Sequence, residues 1–388
     1  MTAPDSGASS AVWDTTERRA LREMVTSFTA KEMAPHLSGW EDAGLLPRDL
    51  HEKAAKVGML GIGFSEEIGG SGGDIVDATI MTESVLAGGG STGLLASLFT
   101  HGIALPHIVD SGNADLIDRY VRPTLAGQMI GALAVTEPGG GSDVAGITTR
   151  AVRDGDDFVV TGAKTFITSG VRADFVTTAV RTGGDGFGGI SLLVIDKGLP
   201  GFTVSQPLKK MGWHCSDTAE LTFDQVRVPA TNVVGEIDGG FVLVMQQFVN
   251  ERVSLAAQAY ATAQRALDLT VEYARQRQTF GKPLITRQVI RHKLVEMHRR
   301  TDAARAVSRL AAERAAAGGS PILDAVLAKN TAVEACAWVV SEAVQIFGGM
   351  GYMRESEVER HYRDARILGI GGGATEVLND LAAKLLGY

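Results

Sequence analysis

Asp157-Phe158-Val159-Val160-Thr161-Gly162 and Ile190-Ser191-Leu192-Leu193-Val194-Ile195 decide the architecture. Both are short runs rich in β-branched and large apolar residues, and Gly183-Gly184-Asp185-Gly186 breaks the chain between them. That texture runs from about residue 133 to 234 and is that of an antiparallel β domain. On both sides of it the period becomes helical. Upstream, residues 17–33 and 47–57 mix charge with apolar residues at helical spacing. After the break at Gly69-Gly70-Ser71-Gly72-Gly73, residues 75–86 and 93–109 read as apolar helices, the second apolar nearly all round and therefore buried. Downstream, Phe241, Val244, Met245 and Phe248 follow i, i+3, i+4, i+7, a stripe that continues to Leu255. Further helices are predicted over 287–317, 323–347 and 375–386, separated by Gly318-Gly319-Ser320-Pro321 and Gly348-Gly349-Met350-Gly351. Helices, then strands, then helices give an α+β fold, not an alternating one. The division is a disordered lead-in at 1–12, an N-terminal helical domain at 13–131, a central antiparallel β domain at 132–236 and a C-terminal four-helix bundle at 237–388.

A chain of 388 residues exceeds one ordinary core. A net charge of −8 argues against a nucleic-acid binder. It does not exclude an anionic substrate, since a few local Arg and Lys suffice for a site. The two cysteines, Cys215 and Cys336, provide neither a disulfide framework nor metal-ligand spacing, so no metal is expected and the cytoplasm is the expected compartment. No basic-then-apolar leader opens the sequence, and no apolar run reaches bilayer length, so no membrane span is expected. No GxGxxG follows a predicted strand, leaving nicotinamide binding through that motif unsupported.

Several segments, in order, resemble the FAD-dependent acyl-CoA dehydrogenase family over nearly the whole chain. Leu60-Gly61-Ile62-Gly63-Phe64-Ser65-Glu66-Glu67-Ile68-Gly69-Gly70 is similar to its N-terminal signature, with Ser65 where proline is usual. Ala134-Val135-Thr136-Glu137-Pro138-Gly139-Gly140-Gly141-Ser142-Asp143 resembles the Thr-Glu-Pro-x-x-Gly-Ser-Asp motif. Lys164-Thr165-Phe166-Ile167-Thr168-Ser169-Gly170 resembles the flavin-facing strand, with Phe166 where tryptophan is common. Met211-Gly212-Trp213-His214-Cys215-Ser216-Asp217-Thr218 and Arg277-Gln278-Thr279-Phe280-Gly281 match further signatures.

The residue types suit a flavin on physical grounds too. Its ring needs a dry slot with donors at the pyrimidine edge, which Val135, Thr136 and Thr168 offer, and glycines 139–141 let backbone approach a ligand. Taken alone, those glycines also read as a plain Gly-rich hairpin. The resemblance implies FAD contacts at Leu133, Val135, Thr136, Gly141, Ser142, Phe166, Ile167, Thr168, Thr375 and Glu376. It also implies that Arg277, Thr279, Phe280, Gln288, Gln345, Ile346, Gly348 and Gly349 serve the flavin of a neighbouring subunit, hence a homo-oligomer, by analogy a tetramer. A guanidinium at Arg277 suits pyrophosphate; by itself it equally fits a solvated charge at a helix end.

In many relatives the catalytic carboxylate lies in a Tyr-Glu-Gly-Thr pattern. Here the matching stretch is Gly371-Gly372-Gly373-Ala374, and Gly372 cannot accept a proton. A minority branch, including the long-chain and isovaleryl enzymes, carries the base on another helix in a Glu-Arg-(Leu/Val) pattern, which Glu251-Arg252-Val253 resembles. Continuing the Phe241–Phe248 stripe also brings this charged pair onto the face expected to be buried, where charge must be paired or functional. A structural ion pair with another helix is the competing reading, and Glu376 is the rival carboxylate.

The resemblance implies that Glu251 takes the α-proton of an acyl thioester while hydride leaves the β-carbon for flavin N5, giving the trans-2-enoyl thioester. Dry surroundings raise the base's pKa, and a backbone N–H at Gly372 stabilises the enolate charge. Ser142, Phe248, Arg252, Gly373, Leu95 and Leu98 are the expected substrate contacts. The glycine run is expected to leave room for a branched or otherwise wide acyl group. His101, His214 and His361 read as structural.

An acyl-CoA oxidase or flavin monooxygenase on the same fold, a dehydrogenase of acyl-carrier-protein thioesters, and a non-catalytic FAD-binding subunit are the alternatives. The resemblance implies electron-transfer flavoprotein as the partner that reoxidises the enzyme.

Overall fold

The computed structural model describes residues 11–319 and 321–388. The expected lead-in therefore falls mostly outside the described residues, while Ala11 to Asp14 form a turn that buries Trp13. The Arg309 guanidinium lies 4.6 Å from the Trp13 ring centroid.

The N-terminal part holds helices α1 (Thr16–Phe28), α2 (Leu37–Ala43), α3 (Asp49–Lys56), α4 (Ile75–Ala87), α5 (Thr92–Leu98), α6 (His101–Ala104), α7 (Pro106–Asp110), α8 (Ala114–Leu116) and α9 (Arg122–Leu125). Local chemistry fixes their ends. Asp74 caps α4 by accepting the N–H groups of Val76 and Asp77, Asp77 answers at the Asp74 N–H, and Arg18 of α1 bridges both carboxylates. The single helix predicted over 93–109 is instead three pieces, with α5 and the α6–α7 segment meeting at 58°. Pro106 opens α7 and cannot continue the backbone ladder of the turn before it. Its apolar, buried character is retained. No single described helix is long and apolar enough to cross a membrane.

Strands β1 (Gly131–Ala134), β2 (Arg150–Asp154), β3 (Asp157–Thr168), β4 (Phe175–Arg181), β5 (Ile190–Asp196), β6 (Phe202–Val204), β7 (Thr218–Pro229) and β8 (Val233–Val234) form one sheet. Its order is β6-β7-β3-β2-β4-β5-β8, with β1 paired to β4. Pairing is antiparallel as expected, except that β1 runs parallel to β4 and β2 touches β4 through a parallel bridge. Alternate residues of β7 are buried, as one face covered by protein requires. One face of the sheet carries Phe158, Val160, Leu221 and Val228. The other packs Phe175, Leu192 and Val194 against Leu105, Ile108 and Tyr120 of the N-terminal part.

The C-terminal part contains α10 (Gly240–Gln276), a small hairpin of β9 (Gln278–Thr279) and β10 (Lys282–Pro283), then α11 (Gln288–Ala316), α12 (Ile322–Phe347), α13 (Glu357–Ala365) and α14 (Thr375–Leu386). Helix α10 positions the site. Val244, in its first turns, belongs to the core shared with the sheet, whereas Val249 and Val253 belong to the helical core. Glu251 thus sits where α10 leaves the sheet and enters the bundle.

Candidate functional site

Three groups of expected site residues emerge. The first lies on β1, β3 and the loop after β1. Thr165 of β3 donates its N–H to Thr136 O at 2.9 Å, so the two motif segments run side by side. Between Lys164 and Ile167 the pairing of β3 with β7 shifts register. Phe166 occupies that bulge at φ +58° and is 68 % exposed, turned out of the sheet as bulges allow. A large apolar ring held outward at a strained φ fits a surface that a planar ligand would cover. The hydroxyls of Thr136, Ser142 and Thr168 make no protein hydrogen bond among the described residues. A β-carbon added at Gly139 or Gly140 would meet nothing within 4 Å. Leu133 is half-buried and Ile167 is fully buried, so Ile167 offers a ligand its backbone only.

Beneath this surface lies a clasp that sequence reasoning missed. The Glu137 carboxylate accepts the Thr148 N–H and hydroxyl at 2.7 Å each, the Thr149 N–H at 2.9 Å and the Lys164 ammonium at 2.8 Å. Lys164 Nζ also donates to Val135 O at 3.0 Å. Burial works to raise the Glu137 pKa, but Lys164 and the hydrogen bonds more than reverse this and hold it down to about 2. Glu137 is thus a structural anion that fixes the loop. The available signal was a lysine placed within an otherwise uncharged run, residues 158–168.

The second group surrounds Glu251. An ideal β-carbon at Gly372 would lie 3.5 Å from Glu251 Oε1, so the carboxylate of α10 stands beside the position that the pattern leaves without a side chain. Gly372 adopts φ +63°, and the same β-carbon would stand 2.4 Å from Leu255 Cδ1. One helical turn of α10 therefore fills the neighbourhood of position 372. The glycine run does not leave the expected open space there: Leu255 occupies it beside Gly372 and Leu378 beside Gly373, and only Gly371 is unobstructed.

Glu251 makes no ion pair within 4.0 Å and no side-chain hydrogen bond among the described residues. The structural ion pair is therefore absent. Glu251 is half-buried, and the protein packed around its carboxyl pushes the pKa above the usual range, with Arg252 and Lys329 pulling the other way. Arg252 stacks its guanidinium 5.3 Å from the Phe248 ring centroid and reaches Gly372 O at 3.4 Å. Burial lowers the Lys329 pKa to about 8 against the pull of Glu251. Glu376, by contrast, is exposed on the first turn of α14. Thr375 beside it donates to Gly369 O at 3.4 Å. Leu95 and Leu98 are buried in the core that also contains Val249 and Leu255.

The third group sits at the far end of α10. Phe280 projects from the β9–β10 hairpin at φ +50° and is 97 % exposed, with Arg287 5.7 Å from its ring centroid. Arg277, Gln288, Gln345, Gly348 and Gly349 are exposed, Thr279 is half-buried and Ile346 is buried. Tyr273 stacks on Phe347 with ring centroids 4.2 Å apart and brings this end of α10 against the Gly348 turn. No hydrogen bond joins this group to the β1–β3 group among the described residues. His101 is buried and bonded through Nε2 to Leu60 O at 2.9 Å, and burial lowers its pKa to about 4. His214 lies against Arg363, and His361 against Glu357.

Comparison with known proteins is consistent along the chain. Family models described as the acyl-CoA dehydrogenase N-terminal, middle and C-terminal domains match residues 15–128, 132–226 and 238–387. The long-chain specific acyl-CoA dehydrogenase of Sus scrofa mitochondria is 37 % identical over 371 residues, 95 % of this chain and 86 % of that protein. A probable acyl-CoA dehydrogenase from Mycobacterium abscessus superposes with TM-score 0.96 at 65 % identity, covering 97 % of this chain and 100 % of the other. A structure described as the electron transferring flavoprotein of Acidaminococcus fermentans matches with TM-score 0.89 at 32 % identity, covering 96 % of this chain and 98 % of the other.

Proposed function

We propose, from the premise that the chain belongs to the acyl-CoA dehydrogenase family of FAD-dependent enzymes, that Glu251 is its catalytic base. The observation that carries this reading is the Glu251 carboxylate beside Gly372, partnerless and with a raised pKa. A half-buried carboxylate with no ion pair and a raised pKa is better suited to taking a proton than to bracing the fold.

The reaction is α,β-dehydrogenation of an acyl-CoA thioester. Glu251 takes the proton from the α-carbon, and its oxygen becomes the O–H of a neutral acid. Charge then develops on the thioester oxygen, where the Gly372 N–H donates to it. The backbone donor survives the loss of a side chain, so glycine at 372 keeps that role. Bound FAD supplies the acceptor for the hydride that leaves the β-carbon. Val135, Thr136, Gly141, Ser142 and Thr168 would hold its polar edge, Phe166 would cover its ring, and Thr375 and Glu376 would complete the site. Ser142, Phe248, Arg252 and Gly373 contact the substrate, and Leu95 and Leu98 border its acyl chain. The likeness to a long-chain specific relative supports a medium to long acyl group, and the ordinary 3.6 Å contact at Gly371, the least crowded of the three glycines, is compatible with a branched one.

Exposed Phe280, Arg277 and Gln288, set apart from the β1–β3 group, support a flavin site completed by a second subunit and hence a homo-oligomer, by analogy with the family a tetramer. Electron-transfer flavoprotein is the proposed electron acceptor, in keeping with the Acidaminococcus match. Two free, buried cysteines suit a reducing cytoplasm.

The test is anaerobic. The purified yellow protein should bleach with a matching acyl-CoA, Glu251→Gln should bind FAD yet stay yellow, and Glu376→Gln should bleach. Bleaching by the Glu251 variant with loss in the Glu376 variant would reverse the assignment. Peroxide release in air at the turnover rate would favour the oxidase.

A further inference from the structure

Two lysines have no exposed surface among the described residues, Lys164 and Lys329. Lys164 is accounted for by Glu137. Lys329, on α12, has no carboxylate within 4.0 Å of its ammonium among the described residues. It spends its hydrogen bonds on backbone, donating to Gly371 O at 2.7 Å and Gly373 O at 2.5 Å. The next residue, Asn330, donates to Thr375 O at 3.1 Å. From α10, Arg252 reaches Gly372 O. Carbonyls 371, 372, 373 and 375 are thus each held by a side chain from one of two helices.

Burying an ammonium is costly even after the protein relaxes around it. Two loop carbonyls could have been left to water or met by an amide. A cation used for this purpose calls for a reason beyond packing.

Peptide planarity supplies one. Gly371 C=O and Gly372 N–H belong to the same peptide unit, which is trans and planar. Fixing the oxygen toward Lys329 therefore fixes the Gly372 N–H in the opposite direction. An ammonium on the carbonyl also polarises the amide, making that N–H a stronger donor. We propose that Lys329 is a positioning residue for proton abstraction, aiming and strengthening the Gly372 N–H while its charge faces Glu251. The inference rests on the reading of Glu251 and Gly372 given above. The charged groups acting on Glu251 are Arg252 from its own helix and Lys329 from α12, and the glycine loop adds none.

The test uses the FAD-loaded enzyme and a bleaching acyl-CoA, read by anaerobic rapid mixing. Lys329→Met should keep FAD and bind acyl-CoA within a few fold. It should reduce flavin about 100-fold more slowly, the loss typical of a disabled oxyanion donor. The α-deuterium isotope effect should grow. The acid limb of the rate profile should move to higher pH, because a cation that favours the Glu251 anion is gone. Lys329→Arg keeps the charge without the same reach to both carbonyls, so the limb should stay near its wild-type place while the rate falls at least 10-fold. It also serves if the Met variant does not fold. Wild-type reduction rates in either variant would overturn the proposal, as would an unmoved acid limb in Lys329→Met. Glu251→Gln separates the two claims: its failure to abolish bleaching sinks the base, whereas an inactive Glu251→Gln beside an unaffected Lys329 variant sinks only this inference.

Discussion

Gly372→Ala tests how tightly α10 and the glycine loop are fitted to one another. The added β-carbon would lie 2.4 Å from Leu255 Cδ1 on a residue held at φ +63°. The left-handed backbone costs an L-residue about 1–2 kcal/mol. Forcing a methyl against a packed leucine adds about 1–3 kcal/mol, for a combined loss of about 2–5 kcal/mol. The two contributions separate in a double-mutant cycle. Leu255→Ala alone should cost about 2–5 kcal/mol as a large-to-small core change. Combined with Gly372→Ala it removes the clash but not the backbone strain. The cycle should therefore show about 1–3 kcal/mol of favourable coupling. Denaturant unfolding of the four proteins, followed by far-ultraviolet dichroism, measures it. A Gly372→Ala protein as stable as wild type would refute the fit, as would additivity within about 0.5 kcal/mol.

Two further outcomes concern buried carboxylates. Glu137→Gln leaves Lys164 without its anion and should cost about 3–5 kcal/mol, read in the same unfolding experiment, while Glu137→Leu with Lys164→Met should cost less. Because the Glu137 pKa is depressed from 4.5 to about 2, its stabilisation is present above pH 4.5 and is lost as pH falls toward 2. The Glu137→Gln protein should lack that acid limb. Glu251 has the opposite sign. Its pKa is raised above 4.5, so its contribution is fully present below pH 4.5 and is lost as pH rises through the folded value. Glu251→Gln should melt above wild type at pH 7, with the gap closing toward pH 4.5. A gap that widens on acidification would contradict the burial of this carboxylate.

The parts of the fold legible in the sequence were those written in local chemistry. Thr375–Leu386 follows a glycine run and carries its own period, and its predicted bounds match the helix observed. Helical spacing carries Glu251 and Arg252 along the apolar stripe of α10, and there Arg252 is buried and Glu251 half-buried. What stayed hidden depends on partners distant in sequence. The parallel pairing of β1 with β4 is one case: the chain between Ala134 and Phe175 first builds two other strands. The break in 93–109 is another, since residues apolar on every side give no face from which to read a bend. Lys164 and Lys329 look like ordinary lysines until the fold brings Glu137 to one and the glycine loop to the other. Leu255 reads only as one more apolar position of the α10 stripe, yet it fills the space beside Gly372.

The central claim is that Glu251 reaches the α-carbon of the thioester, and hydrogen exchange at that carbon tests it most directly. Acyl-CoA in excess is incubated anaerobically with enzyme in deuterated water, and its α-position is followed by mass spectrometry. Wild type and Glu376→Gln should incorporate deuterium at the α-carbon. Glu251→Gln, still loaded with FAD, should fall by at least about 100-fold, the contribution of a positioned general base. Undiminished exchange in the Glu251 variant would mean that another group takes the proton.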